Sequence, residues 1–164
     1  MKITLQDLFS ETHLFSKDLI ELQNSSLKFN SSKNINFTYK KKVSISVSSD
    51  YTTTYLSEMM PLFLANRKIS CKINETNFGS LRFLIRDLSN KFWSSNDDIL
   101  LLMPSSKNLS YLPNIEDNLN QIKLKAEKEV KLWVKAWQST DKNIIQTTFD
   151  PLQNSNFGNK DGVK

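Results

Sequence analysis

The stretch that decides the fold is KVSISVSSDYTTTYL, residues 42–56. Val43, Ile45 and Val47 alternate with polar residues, as in a β-strand, until the run stops at Ser48-Ser49-Asp50. A hydroxyl-rich segment follows, and an apolar pattern of helical spacing begins where it ends. A strand that passes into a helix through such a turn indicates a site for a nucleophile or a ligand. The question is therefore whether Ser49 is a catalytic serine.

Outward from this turn, the chain alternates between strands and helices. Predicted strands cover residues 43–48, 69–73, 98–103 and 143–148, and predicted helices cover 53–66, 78–92 and 115–138. Strands separated by helices predict βαβ units and a parallel sheet, so the fold class is α/β. The third strand is apolar at every position of Ile99–Met103, as expected for a strand buried on both faces.

Three segments follow from this pattern. Residues 1–40 are predicted to be a lead-in packed on the domain, with an amphipathic helix over 4–22 and a polar loop over 24–38. The apolar side of that helix consists of Leu5, Leu8, Phe15, Leu19 and Leu22. The α/β domain spans 41–150, and the polar residues 151–164 indicate a tail or linker.

Composition restricts the function classes. With 164 residues, 38% hydrophobic and 24% charged, the sequence predicts one soluble globular domain. No apolar run is long enough to span a bilayer, and the N-terminus turns polar too soon for a secretory signal. The single cysteine, Cys71, excludes an internal disulfide and fits a reducing, cytoplasmic location. The net charge is +5, but only three arginines are present, which argues against a nucleic-acid partner.

The topology predicts a binding crevice before any motif does. In open α/β sheets, ligands bind beyond the carboxyl ends of the strands. The polar residues at those ends are the candidate crevice residues: Ser49, Asp50, Thr52, Asn74, Ser105, Thr147 and Thr148. Polar residues are also common at the start of any loop, so the crevice and a plain solvated edge both remain open.

Catalysis by Ser49 would require a base, because a free serine hydroxyl is a weak nucleophile. The only histidine, His13, lies on the lead-in helix, where a surface role is favoured. No Gly-x-Ser-x-Gly elbow is present, and three glycines exclude a phosphate loop and a dinucleotide fingerprint. No residues have metal-ligand spacing. Any of Thr52 to Thr54 could simply cap the helix that follows.

The long helix over 115–138 has two distinct faces. Trp133 and Trp137 are in register with Ile122, Ala126 and Val130, which predicts a buried stripe against the sheet. Four lysines follow the opposing face: Lys125, Lys128, Lys131 and Lys135. Such a face is usually only solvated, and the alternative is docking of an acidic partner.

The order of segments resembles the N-terminal, SGNH-hydrolase-like domain of FkbH-like proteins over residues 1–158. The similarity rests on SDYTTTYL (49–56), on TNFG (76–79), on DILLL (98–102) and on IIQTTFD (144–150). FkbH-like proteins are haloacid-dehalogenase-type (HAD-type) enzymes that load a glyceryl or lactyl unit onto an acyl carrier protein in polyketide pathways. The resemblance implies a three-layer, flavodoxin-like parallel sheet with helices on both faces.

Two features depart from that family's pattern. No Asp-x-Asp occurs in the chain, so the Mg²⁺-dependent HAD chemistry would belong to a separate catalytic domain. The Asp-x-x-His that closes SGNH hydrolases is also absent, which makes Ser49 a vestigial nucleophile position. The resemblance thus implies a non-catalytic module without a cofactor of its own. Its partners would be the acyl carrier protein or its phosphopantetheine arm, and the HAD-type domain. The alternatives are an active esterase or acyltransferase using Ser49, and a stand-alone scaffold.

Overall fold

The computed structural model describes residues 18–31, 38–109 and 113–149. Within these residues a parallel sheet is formed by β1 (Lys41–Ser49), β2 (Ile69–Glu75), β3 (Ile99–Met103) and β4 (Asn143–Gln146). The strand order is β2-β1-β3-β4, which is the flavodoxin-like order. The predicted α/β fold with a parallel sheet is therefore confirmed. β1 is followed by β2 on one side of the sheet order, and β3 is followed by β4 on the other side. The topological switch point therefore lies between β1 and β3.

Helices cover both faces of the sheet. They are α1 (Leu19–Ser31), α2 (Thr54–Asn66), the single turn α3 (Leu81–Leu84) and α4 (Leu119–Gln138), with a short 3₁₀ turn at Ser106–Asn108. Successive side chains of a strand point to opposite faces. Ile45, Val47 and Leu101 therefore form a core with α2, whereas Leu100 and Leu102 form a second core with α3 and α4.

α1 adds an outer layer on α2. Leu22 and Phe29 pack against the fully buried Leu62, and the Ser26 hydroxyl donates to the backbone carbonyl of Glu58. The sequence-based loop over 24–38 is therefore wrong for residues 24–31, which are helical. Packing of the half-buried Leu22 and Phe29 against Leu62 stabilises a helix whose Asn- and Ser-rich sequence alone favours a loop. The predicted helix over 4–22 lies mostly outside the described residues.

The predicted helix over 78–92 is also wrong in extent, because only Leu81–Leu84 is helical. In the following segment, hydrogen bonds to side chains replace the backbone hydrogen bonds that a helix would form. Asp87 Oδ1 accepts a hydrogen bond from the Ser89 hydroxyl at 2.6 Å, and Asn90 Oδ1 accepts one from the Phe92 amide at 3.0 Å. Such local bonds compete with a helix, and the resulting turns bury Phe92 and Trp93 in the core.

The buried stripe of α4 differs from the predicted one. Trp133 is buried as expected, but Val130 and Trp137 are 60% and 41% exposed. The buried positions of α4 are Glu129, Trp133 and Ala136. The helix is rotated in this way because Glu129 forms a bidentate ion pair with Arg82 at α3, and Trp133 Nε1 donates to the same carboxylate at 2.9 Å.

Candidate functional site

A cleft of about 330 Å³ opens at the carboxyl ends of β1 and β2, beside the start of α2. We call it the first-turn cleft. Its lining consists of Val47, Ser49, Tyr51, Thr52, Thr53, Thr54, Glu75, Thr76, Asn77 and Phe78. The cleft thus coincides with the strand-to-helix turn that the sequence singled out, and it lies at the edge where open α/β sheets bind ligands.

Ser49 is part of the structure of this turn. Its side chain donates a hydrogen bond from Oγ to the Tyr51 carbonyl at 2.6 Å and accepts one from the Tyr51 amide at 2.9 Å. The residue is only 6% exposed. The Ser49 hydroxyl therefore already donates one hydrogen bond and accepts another, both with the backbone of Tyr51. These two bonds close the turn.

No base contacts Ser49 among the described residues. The side chain of the neighbouring Asp50 points instead to the loop after β3, where Oδ2 accepts a hydrogen bond from the Ser105 amide at 3.0 Å. The sole histidine, His13, lies outside the described residues. Attack by serine requires a positioned base, and the described residues do not place one beside Ser49.

Glu75 organises the opposite wall of the cleft. Its Oε1 accepts hydrogen bonds from Thr53 Oγ1 at 2.6 Å and from Ser57 Oγ at 2.5 Å. Thr53 occupies the N-cap position of α2, but its side chain makes no capping bond. The prediction that a threonine of this segment caps the helix is therefore wrong for Thr53, whose hydroxyl crosses to β2 instead.

The other predicted crevice residues are spread over the same edge. Asp50 and Ser105 join the ends of β1 and β3 at the switch point. The Thr147 amide donates a hydrogen bond to the Leu102 carbonyl at 3.0 Å, and the Thr147 hydroxyl is buried with no hydrogen-bond partner among the described residues. Thr148 is exposed. Of the predicted set, only Ser49 and Thr52 line the first-turn cleft.

Asn74 faces away from the cleft because of strand register. It pairs with Ser46, and both side chains point to the side of the sheet opposite α2, where they hydrogen-bond to Asp97. β2 extends to Glu75, two residues beyond its predicted end. Glu75, the neighbour of Asn74, is therefore the residue of β2 that reaches the cleft. The sequence therefore located the segment but not the side chain, because a shift of one residue reverses the face.

Asp97 anchors a polar patch on that side of the sheet. Desolvation raises the pKa of its carboxyl, but hydrogen bonds from Ser46, Asn74 and Ser44 together outweigh it, and the pKa lies below the usual 3.8. Cys71 in β2 has the opposite shift, because burial raises the pKa of its thiol to about 11. Cys71 is therefore a protonated thiol at neutral pH and a poor nucleophile.

The four lysines of α4 that the sequence predicts as a docking face are not equivalent. Lys128, Lys131 and Lys135 are exposed, whereas Lys125 is half-buried and forms an ion pair with Asp117. Along a helix, positions 128, 131 and 135 lie within a narrow sector of the surface. The exposed basic face therefore consists of these three residues, and we call it the lysine face.

The described segments show neither a membrane span nor a metal centre. None of their helices has the length and apolar character needed to cross a bilayer. Nor do they bring three or more histidine, cysteine or carboxylate side chains together as a metal site.

The chain matches no protein-family model and no curated protein sequence. Its fold is similar to a crystal structure described as the N-terminal part of the protein BF1531 from Bacteroides fragilis, containing a phosphatase domain complexed with Mg, with a TM-score of 0.63. The two are 11% identical, and the match covers 90% of this chain but 37% of that one. This chain therefore shares its α/β fold with part of a phosphatase-domain-containing protein, and at this identity the likeness shows the fold alone.

Proposed function

We propose that the chain is the N-terminal, non-catalytic module of an FkbH-like enzyme, one that loads a glyceryl- or lactyl-type unit onto an acyl carrier protein in polyketide biosynthesis. Its task would be interaction with the carrier protein or with the HAD-type catalytic domain. The Mg²⁺ and the phosphoryl chemistry would belong to that separate domain. The sequence resemblance supports this proposal, as does the likeness in fold to part of a protein that contains a phosphatase domain.

The observation that carries the non-catalytic role is the bonding of Ser49. Its hydroxyl is buried, bonded twice to Tyr51, and without a base among the described residues. Activating this serine would require breaking the turn and supplying both a base and a group that orients it. A cleft that keeps its nucleophile position engaged in this way is suited to binding.

A covalent probe tests the non-catalytic role. We expect a fluorophosphonate probe to label the chain no more than it labels the Ser49→Ala variant, and activated esters to show no turnover above the same control. The experiment is read by mass spectrometry of the intact chain. Labelling at Ser49 that the substitution abolishes would contradict the proposal and favour an esterase or acyltransferase.

The proposed carrier partner is supported by the lysine face. Lys128, Lys131 and Lys135 are exposed on α4, and acyl carrier proteins are usually acidic. Charges of this kind at the rim of an interface mainly raise the association rate and are sensitive to salt.

A further inference from the structure

The charge of the first-turn cleft is negative, which is unfavourable for a phosphorylated ligand. Among the ten described residues that line it, Glu75 carries the only charge, and neither lysine nor arginine is present. A phosphate monoester has a charge of about −1.5 to −2 at neutral pH and would meet a carboxylate without any compensating cation. The lining therefore disfavours phosphate.

The same lining is well supplied with hydrogen-bonding groups. Thr52, Thr54 and Asn77 make no side-chain hydrogen bond to another described residue, and each can both donate and accept. Glu75 can only accept, and its carboxylate is held in place by Thr53 and Ser57 through Oε1. A ligand with hydroxyl or amide groups would find both kinds of partner already positioned.

Two aromatic rings border these polar groups. Phe78 is 73% exposed and Tyr51 is 39% exposed, although both line the cleft. A phenylalanine that exposed buries little in the fold, so its ring is available to the apolar parts of a ligand. Ligand sites commonly combine aromatic contact area with a few well-placed polar groups.

We infer that the first-turn cleft binds an uncharged ligand that carries hydroxyl or amide groups, and that it excludes phosphate. The source of such a ligand rests on the proposed function, under which it is the pantetheine part of the carrier arm, with the phosphate left outside the cleft. A sugar would present hydroxyl groups of the same chemistry, so the test must separate these two sources.

The experiment is a titration of the ¹⁵N-labelled chain, followed by amide chemical shifts, with pantetheine, glucose or inorganic phosphate. We expect pantetheine to give saturable shifts at residues 51–54 and 75–78, and phosphate to give none there at equal concentration. Phe78→Ala should weaken pantetheine binding by about five-fold or more. Phe83→Ala removes a ring of similar exposure on α3, outside the cleft, and this variant should bind pantetheine as the unaltered chain does.

Three results would overturn the inference. They are shifts of these residues by inorganic phosphate, no shift with either pantetheine or glucose up to about 10 mM, and equal weakening by both phenylalanine variants. Saturable shifts with glucose alone would support the uncharged-ligand class and contradict the carrier arm as its source. Charge reversal on the lysine face tests carrier docking separately, so the two proposals can fail independently.

Discussion

At the residue scale, Ser49 shows what a sequence can and cannot reveal about a candidate nucleophile. The alternation of Val43, Ile45 and Val47 was enough to place Ser49 directly after a strand, and in the structure it is the last residue of β1. Whether its hydroxyl is available depends on two hydrogen bonds to Tyr51, which no residue pattern reports. In a different backbone conformation, the same turn sequence could leave the serine hydroxyl without these bonds. Only the structure therefore shows whether the hydroxyl is available for chemistry.

Asp97 gives the fold an acid-sensitive contact. Because the folded-state pKa of its carboxyl lies below the usual 3.8, its contribution to stability is present above that value and is lost as the pH falls through the folded-state pKa. We expect the free energy of unfolding of Asp97→Asn to change less between pH 5 and pH 3 than that of the unaltered chain. Urea denaturation at each pH measures this difference.

Asp141→Asn is the matched control for this effect. The Asp141 side chain is 91% exposed and lies 4.0 Å from Lys142, so its removal should leave the acid dependence of stability unchanged. The free energy of unfolding of Asp97→Asn could instead fall between pH 5 and pH 3 as much as that of the unaltered chain. This result would show that the hydrogen bonds from Ser46, Ser44 and Asn74 do not favour the charged form of the Asp97 carboxyl.

At the element scale, a buried ion pair joins α3 to α4 beside the apolar core that the two helices share. Arg82 and Glu129 are 14% and 5% exposed, and they form two parallel hydrogen bonds. Removing one partner leaves a buried charge, so we expect Arg82→Met to lower the free energy of unfolding by about 3–5 kcal/mol. Arg82→Met/Glu129→Gln should recover most of this loss, because it removes both charges and keeps an acceptor for Trp133.

Equilibrium unfolding in urea measures both variants. A single substitution that costs less than about 1 kcal/mol would show that the pair behaves as a surface salt bridge. A double variant no more stable than the single one would show that the loss comes from packing at α3 and not from the unpaired carboxylate.

The elements differ in how far the sequence predicts them. The four strands and the helices α2 and α4 could be located from the sequence pattern, because β1 alternates apolar and polar residues, β3 is a continuous apolar run, and the helices have apolar residues at helical spacing. α3 and the rotation of α4 could not be found in that way. The short extent of α3 depends on local hydrogen bonds to the side chains of Asp87 and Asn90. The rotation of α4 depends on the ion pair between Arg82 and Glu129, which are 47 residues apart in the chain. The first-turn cleft was located as a segment, but Asn74 was chosen instead of Glu75 because β2 is longer than its apolar run. Phe78 was not predicted, because nothing in the sequence shows that its ring is exposed at the cleft.

At the scale of the whole molecule, the candidate sites lie on different sides of the sheet. Val47, Thr53 and Glu75 place the first-turn cleft on the α2 side, whereas the lysine face belongs to α4 on the opposite side. A partner held by α4 would therefore be attracted by charge, and a ligand in the cleft would be selected by hydrogen bonds. This separation allows each surface to be altered without disturbing the other.

Binding of an acyl carrier protein, the proposed partner, tests the central claim most directly. We compare the unaltered chain with Lys128→Glu/Lys131→Glu, which reverses two charges of the lysine face. The control is Lys40→Glu/Lys107→Glu, which makes the same change in net charge at exposed lysines outside α4. Association is measured by surface plasmon resonance at low and at high ionic strength.

The account predicts that Lys128→Glu/Lys131→Glu weakens carrier binding on the order of ten-fold at low salt, mainly through the association rate. The difference should shrink as salt screens the charges, and the control variant should bind as the unaltered chain does. Carrier binding that survives Lys128→Glu/Lys131→Glu unchanged at every ionic strength, or an equal loss in the control, would contradict the assignment of the lysine face as the docking surface.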